Sequence, residues 1–292
     1  MAENKPVIVG TDGSDHAERA IRWAARYAAR HERTLLIAIA VSTPLIVSGM
    51  DEKHRQEIVD DLSEHADVIL NEGVAVARQV APQLSMQTEI RLEPTSQAMM
   101  NLAEEAEVLV VGARGLGAVG TAVLGSVSGQ LAAHAPCPVV IIPGAEVDPS
   151  GAVDGPVVVG VDASNNSGAA VLAAAIEALS LQVPLTAVHA YGHEPAVRLP
   201  ARASRRTVDE HDVAEQVLTE QLAEVRSTYP ELPVERAVVA ERPAASVIDR
   251  SAGAQLVVVG SRGRGGFASL LLGSTSAKVL REAKCPVMVV RP

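Results

Sequence analysis

Aromatic side chains are nearly missing from this chain: they make up 2% of its residues, with one Trp, one Phe and three Tyr. That disfavours a nucleic-acid binder that stacks bases on rings. The core must instead be assembled from Val, Leu, Ile and Ala, which suits covered parallel strands under Ala-rich helices. Cysteine is almost as scarce. Cys137 and Cys285 stand in matching phrases, Ala-Pro-Cys-Pro-Val-Val and Ala-Lys-Cys-Pro-Val-Met, each just ahead of an apolar run. They read as buried, reduced core thiols, not as a disulfide or redox pair. No apolar run approaches the roughly 20 residues of a membrane helix. The N-terminal Met-Ala-Glu-Asn-Lys-Pro has no apolar signal segment, so the expected compartment is the cytoplasm.

Positive charge is in deficit. The formal net charge is -10, from 25 basic and 35 acidic residues, which argues against nucleic acid and anionic membranes as partners. Through Glu146 there are 11 basic and 19 acidic residues, a balance of -8; the remainder, with 14 and 16, carries -2. The one basic cluster, Arg198, Arg202, Arg205 and Arg206, has two readings: a solvated loop, or a docking site for an acidic partner or phosphorylated segment. Catalytic signatures are absent as well. There is no Gly-x4-Gly-Lys-[Ser/Thr] loop, no kinase signature, no Gly-x-Ser-x-Gly elbow and no Ser-Gly-Gly-x-Asp-Ser pyrophosphate loop, which Gly10-Thr-Asp-Gly-Ser14 only echoes. The eight histidines show no metal spacing; His189 and His193 are four apart but fall on a strand and a loop.

What the chain does have is a repeat. Val9-Gly10-Thr11-Asp12-Gly13-Ser14 recurs as Val159-Gly160-Val161-Asp162-Ala163-Ser164. Gly112-Ala113-Arg114-Gly115-Leu116-Gly117 recurs as Gly260-Ser261-Arg262-Gly263-Arg264-Gly265, then Leu124-Gly125-Ser126 as Leu272-Gly273-Ser274, and Cys137-Pro138-Val139 as Cys285-Pro286-Val287. Matches in one order over a whole half-chain mean duplication. A spacing of 148 to 150 residues is that of domains, since solenoid repeats run to roughly 20 to 50. The predicted domains are 1–146 and 155–292, joined by a Gly/Pro/Asp-rich linker at 147–154.

Each copy reads as alternating strands and helices. Strands are expected at 6–9, 35–41, 87–92, 108–111 and 139–142, and again at 156–159, 185–191, 234–239, 256–259 and 287–290. Helices are expected at about 15–31, 52–80 and 126–134, at about 165–180, 208–227 and 274–283, and in short form after Pro94 and Pro243. This alternation specifies a doubly wound parallel sheet, whose ligands bind beyond the carboxyl ends of the strands where strand order reverses.

The glycine loops carry the chemistry. Gly112-Ala-Arg-Gly115 is followed after nine residues by Gly125-Ser126, and Gly260-Ser-Arg-Gly263 after nine by Gly273-Ser274. Each leaves a Val-rich strand and opens a helix. Glycines let main-chain amides approach an anion, and a helix start adds unpaired N–H donors and the positive end of the dipole. Ser126 and Ser274 are expected at the N-cap, with hydroxyls that could also reach a phosphate. Asp12 and Asp162 follow the first strand of each copy. Either they cap the next helix, or they hold a ribose hydroxyl, a nucleotide amino group or, through water, a metal.

These residues resemble the universal stress protein family in its tandem two-domain form, of the mycobacterial and wider actinobacterial kind. The ATP-binding members of that family carry G-x2-G-x9-G-[S/T] in the last third of the domain, a pattern complete in both copies here, and the likeness covers nearly the entire chain. It implies two tandem doubly wound five-stranded parallel-sheet domains, Rossmann-like and adenine nucleotide alpha hydrolase-like. It further implies one ATP per domain, with Mg2+ held through the phosphates, and a regulatory or sensor role in stress response or growth control. ATP hydrolysis would be slow at most; the alternative is an enzyme using the same crevice for adenylyl or phosphoryl chemistry.

By the same resemblance Asp12 and Asp162 would contact base and ribose, the backbone of Ala40 and Ala190 would read the adenine edge, and Gly10 and Gly160 would leave room at the first turn. Ribose and triphosphate would be wrapped by Gly112, Ala113, Arg114, Gly115, Leu116, Gly117, Ala118, Gly125, Ser126 and Val127. In the second copy that role would fall to Gly260, Ser261, Arg262, Gly263, Arg264, Gly265, Gly266, Gly273, Ser274, Thr275 and Ser276. The copies differ in two ways. The first loop has only Arg114 where the second has Arg262 and Arg264, so the second should hold phosphate more tightly; and Ile39 stands in the first where His189 stands in the second. The resemblance also implies pairing of the two copies through their last strands, a homodimer, and a further protein partner.

Overall fold

A computed structural model of the chain describes residues 5–42, 52–115, 124–144, 154–191, 209–263 and 272–291, except for the side chains of Glu52, Arg55, Asn165 and Asn166. Two compact units divide it, Met1–Gly151 and Ala152–Pro292. All of the expected linker but Asp154 lies outside the described residues.

The first unit runs β1 (Val7–Thr11), α1 (Asp15–Arg30), β2 (Leu35–Ala40), α2 (Glu52–Val80), β3 (Met86–Arg91), α3 (Thr95–Ala103), β4 (Val108–Gly112), α4 (Ser126–His134) and β5 (Val139–Ile142). Its strands lie in the order β3-β2-β1-β4-β5, every pairing parallel. The second unit runs β6 (Val157–Gly160), α5 (Asn165–Leu181), β7 (Leu185–Ala190), α6 (Glu210–Gln221), α7 (Ala223–Thr228), β8 (Val234–Val239), α8 (Pro243–Ser251), β9 (Leu256–Gly260), α9 (Ser274–Glu282) and β10 (Val287–Val290). Its order, β8-β7-β6-β9-β10, is the same pattern and again parallel. Each unit is a five-stranded, Rossmann-like α/β domain.

The central strands are apolar on both faces because both faces are covered. Val7, Ile8 and Val9 of β1 and Val108, Leu109 and Val110 of β4 are buried throughout. Small side chains let the helices come close. On α1 the buried stripe is Ala17, Ala20, Ile21, Ala24, Ala25 and Ala28, with Tyr27 the one large ring, while Glu18 and Arg22 pair at 2.8 Å on the outer face. α1 packs with α2, and α3 with α4. β5 and β10 each end their own unit's order, as do β3 and β8 at the other end. β3 carries a half-buried Glu89–Arg91 pair at 2.7 Å, a charge pattern that discourages further strand pairing.

The element boundaries follow the hydrophobic pattern within a residue or two, with one break. The helix expected at about 208–227 is two helices that meet at Leu222, a loosened helical turn at φ -92, ψ -4 that is itself fully buried. Leu218, Leu222 and Val225, spaced i, i+4, i+7, all reach the core. Among the described residues no helix is long and apolar enough to cross a membrane.

Both cysteines are free and buried. Burial pushes the Cys137 thiol up to about 11 and the Cys285 thiol to about 12, from an ordinary 9.0. The folded chain thus holds these protons where the unfolded chain would release them. The stabilisation is present below pH 9.0 and is lost as pH rises through about 11 to 12. We expect a thiol reagent to leave the native protein unmodified near neutral pH and to label both cysteines once guanidinium chloride unfolds it. Rapid labelling of the native chain would contradict this burial.

Candidate functional site

In the first unit β1 is followed outward by β2 and β3 on one side and by β4 and β5 on the other, so the crossovers diverge at the carboxyl ends of β1 and β4. A cavity of about 570 Å³ opens there, within the roughly 300–1,000 Å³ of small-molecule sites. Of the residues singled out by the sequence pattern, Gly10, Asp12, Ala40, Gly112, Arg114, Gly115, Gly125, Ser126 and Val127 line it. Ala113 is buried beneath. Leu116, Gly117 and Ala118 lie outside the described residues, as do Arg264, Gly265 and Gly266 and the Arg198–Arg206 cluster with His193. The sequence pattern did not single out Thr11, Ala17, Thr95, Met99, Val111, Leu124 and Ser128, which line the cavity too.

The turn after β1 sets the carboxylate. Asp12 Oδ1 accepts from the Ser14 amide at 3.1 Å, and Thr11 Oγ1 accepts from Gly13 N at 3.2 Å. Gly13 has φ +77, which favours glycine. The cap of α1 is Ser14, whose Oγ accepts from Ala17 N at 3.2 Å. Asp12 therefore does not cap the helix, and its Oδ2 faces Gly115, where a Cβ would overlap it. The second unit repeats this: Asp162 Oδ1 accepts from the Ser164 amide at 2.9 Å, and Oδ2 would be overlapped by a Cβ at 263. One detail differs. The Ser164 hydroxyl donates to Asp162, so Ser164 is an N-cap without a side-chain cap bond.

The glycine loop is closed at its base by main chain. Ala113 N donates to Ile142 O and Gly125 N to Ala113 O, both at 2.8 Å. Ser128 Oγ donates to Gly112 O at 2.7 Å, fastening the first turn of α4 to the end of β4. The counterparts are Ser261 N to Val290 O and Gly273 N to Ser261 O, both at 2.8 Å, and Ser276 Oγ to Gly260 O at 2.6 Å. The Ser276 hydroxyl thus bonds the strand end, and buried Ser261 holds the loop base.

The N-cap expectation is corrected here. The caps of α4 and α9 are Gly125 and Gly273, in extended backbone, and Ser126 and Ser274 are the first helical residues. A glycine cap has no side chain to bond the helix start, and neither helix has a side-chain cap bond. The Ser126, Val127 and Ser128 amides, on the cavity wall, therefore have no intrahelical acceptor. A carboxylate or hydroxyl cap would have competed for them.

Other neighbours show what each glycine accommodates. A Cβ at 10 would come 3.0 Å from Met99 Sδ, so Gly10 makes space for α3 as well as bordering the cavity. A Cβ at 112 would come 2.9 Å from the His16 carbonyl oxygen, so Gly112 admits the start of α1. The His16 ring takes Arg19 at 3.2 Å. Burial first, then the charges of Arg19 and Arg114, hold its pKa below 6.5, and Asp12 and Asp15 offset this only in part. In the second unit His189 Nδ1 lies 2.7 Å from Val161 O; a carbonyl only accepts, so that nitrogen carries the proton. Ala190 ends β7 as Ala40 ends β2, and Gly160 ends β6, where a Cβ would touch Val247. Among the described residues no group of three or more His, Cys, Asp or Glu side chains could hold a metal.

A model of the universal stress protein family matches residues 3–143 and 155–291. A universal stress protein of Mycolicibacterium smegmatis is 35% identical over 294 residues, covering 98% of this chain and 97% of that protein. One of Mycobacterium tuberculosis is 37% identical over 298 residues, covering 98% and 96%. The crystal structure of a universal stress protein from Archaeoglobus fulgidus has a TM-score of 0.74 at 19% identity, covering 99% of both chains, a likeness of fold.

We expect Gly112→Ala to destabilise the protein by about 1–3 kcal/mol, because the new methyl meets backbone that must shift. Gly115→Ala meets only the Asp12 carboxyl tip and should cost well under that. Urea unfolding of the two variants checks the order, and equal stability would refute it. His16 should titrate, by NMR, with a midpoint below 6.5. Because the unfolded histidine binds its proton first, its contribution to stability falls as pH drops below 6.5, and His16→Gln should remove that part of the acid sensitivity.

Proposed function

Because the chain belongs to the universal stress protein family, we propose that it is an ATP-binding stress protein in a regulatory or sensor role, with one ATP per unit. The observation that carries this reading is the start of α4, a helix with a glycine cap and no side-chain cap bond, on the wall of a cavity beside Arg114. Main-chain donors, the positive end of the helix dipole and one guanidinium together suit phosphate oxygens. α9 offers the same glycine-capped start beside Arg262.

The rest of the cavity suits the rest of the molecule. Asp12 stands at the end of β1 with Oδ1 held by the turn and Oδ2 turned toward the loop, an acceptor for ribose hydroxyls. Ala40 presents main chain at the end of β2, and Ala17, Met99 and Val111 are apolar walls against which a base can lie. Mg2+, a hard cation that prefers oxygen and water ligands, would be held by the phosphates, with Asp12 the one carboxylate among the described cavity residues. That carboxylate is the only general-base candidate on the described wall, and half of it is engaged by the turn, so hydrolysis is expected to be slow.

Bound nucleotide would change what a protein partner meets. Titration calorimetry of the full chain with Mg-ATP should find two sites. Gly115→Ala and Gly263→Ala should each weaken one of them by displacing the Asp12 or Asp162 carboxylate, while the fold persists. No ATP uptake by the unaltered chain would defeat the reading, and hydrolysis over many rapid turnovers would replace it with an enzyme.

A further inference from the structure

Arg291 follows the last residue of β10, and the preceding residue, Val290, accepts from the amide of Ser261 at the base of the second glycine loop. That hydrogen bond brings the start of the loop and the end of the chain together. The Nε and Nη2 atoms of Arg291 are shut off from solvent and have no hydrogen-bond partner among the described residues. Its charged neighbour is Arg262 of the glycine loop, and burial together with that like charge lowers its pKa.

Such an arrangement is costly as it stands. Two desolvated guanidinium nitrogens without an acceptor are unfavourable, and a second cation nearby adds repulsion. An anion with several oxygens would offset both costs at once, since each guanidinium can donate two parallel bonds to it. The first unit lacks this feature. There Ala113 N donates to Ile142 O in the same way, but the next residue is Pro143, which has no charge and no donor.

We propose that Arg291 is a phosphate-binding residue of the second unit's crevice, acting with Arg262 and without a counterpart in the first. This rests on the nucleotide reading given above and deepens it. The two sites then differ in how much they depend on phosphate. The second weights the charge of the phosphate tail more heavily, and the first, with Arg114 alone on its described wall, relies more on the nucleoside.

The test is calorimetry on the full chain, unaltered and as Arg291→Met, with Mg-ATP and with adenosine as a phosphate-free probe. Arg291→Met should weaken ATP at one of the two sites by about 10- to 100-fold, the loss expected for a charge-assisted hydrogen bond. Adenosine binding should not change. The melting temperature without ligand should stay level or rise, because an uncompensated charge has been removed, and Arg291→Lys should recover part of the ATP affinity. If Arg291→Met keeps both ATP sites at full strength, the inference falls while the nucleotide reading stands. Parallel loss of ATP and adenosine, or a lower melting temperature without ligand, would make Arg291 a structural residue and overturn it as well. If the unaltered chain takes up no ATP, both readings fall.

Discussion

The site depends on how the first turn of α4 is fastened to the end of β4. Two bonds do it, Gly125 N to Ala113 O and Ser128 Oγ to Gly112 O. They satisfy the groups at the end of the strand from within, so the first amides of the helix remain on the cavity wall. They also anchor both ends of the glycine loop. The second unit makes the same two bonds with Gly273 and Ser276. Two units of different sequence thus keep the same fastening.

The carboxylate is arranged with comparable economy. A turn amide holds one oxygen of Asp12 or Asp162, so the other has a defined direction, and a side chain at 115 or 263 would displace it. Acid and loop are coupled: a change in one displaces the other. The start of α1 is coupled in as well, since the His16 main chain lies against Gly112. Chain distant in sequence therefore fixes the crevice from three sides.

Around this shared frame the units have diverged. Thr11, Ile39, Met99 and Pro143 in the first correspond in place to Val161, His189, Val247 and Arg291 in the second. These changes exchange polar and apolar groups around the crevice and add a cation after the last strand. The folds stay alike because these positions lie at the carboxyl-end crevice, three at or next to strand ends and one on α3 or α8, whereas the buried Val, Ile and Leu of the strands hold the sheet.

The sequence by itself determined the duplication, the alternation of strand and helix, and the place of the glycine loops, because each is written in local spacing or in apolar runs such as Val108–Gly112 and Val139–Ile142. It also pointed to the residues of the first crevice that β1, β2 and the loop supply. Only the tertiary structure decided which residue does which task. Ser14 caps α1 where Asp12 was a candidate, and Gly125 caps α4 where Ser126 was expected. Thr95 and Met99 reach the cavity from α3, Ser276 bonds a strand end, and Arg291 comes within electrostatic reach of Arg262. Those roles depend on side-chain direction and on contacts between distant segments. Spacing along a chain records the period of a helix or strand, but which groups meet is set when the strands align in parallel and their carboxyl ends come to one edge.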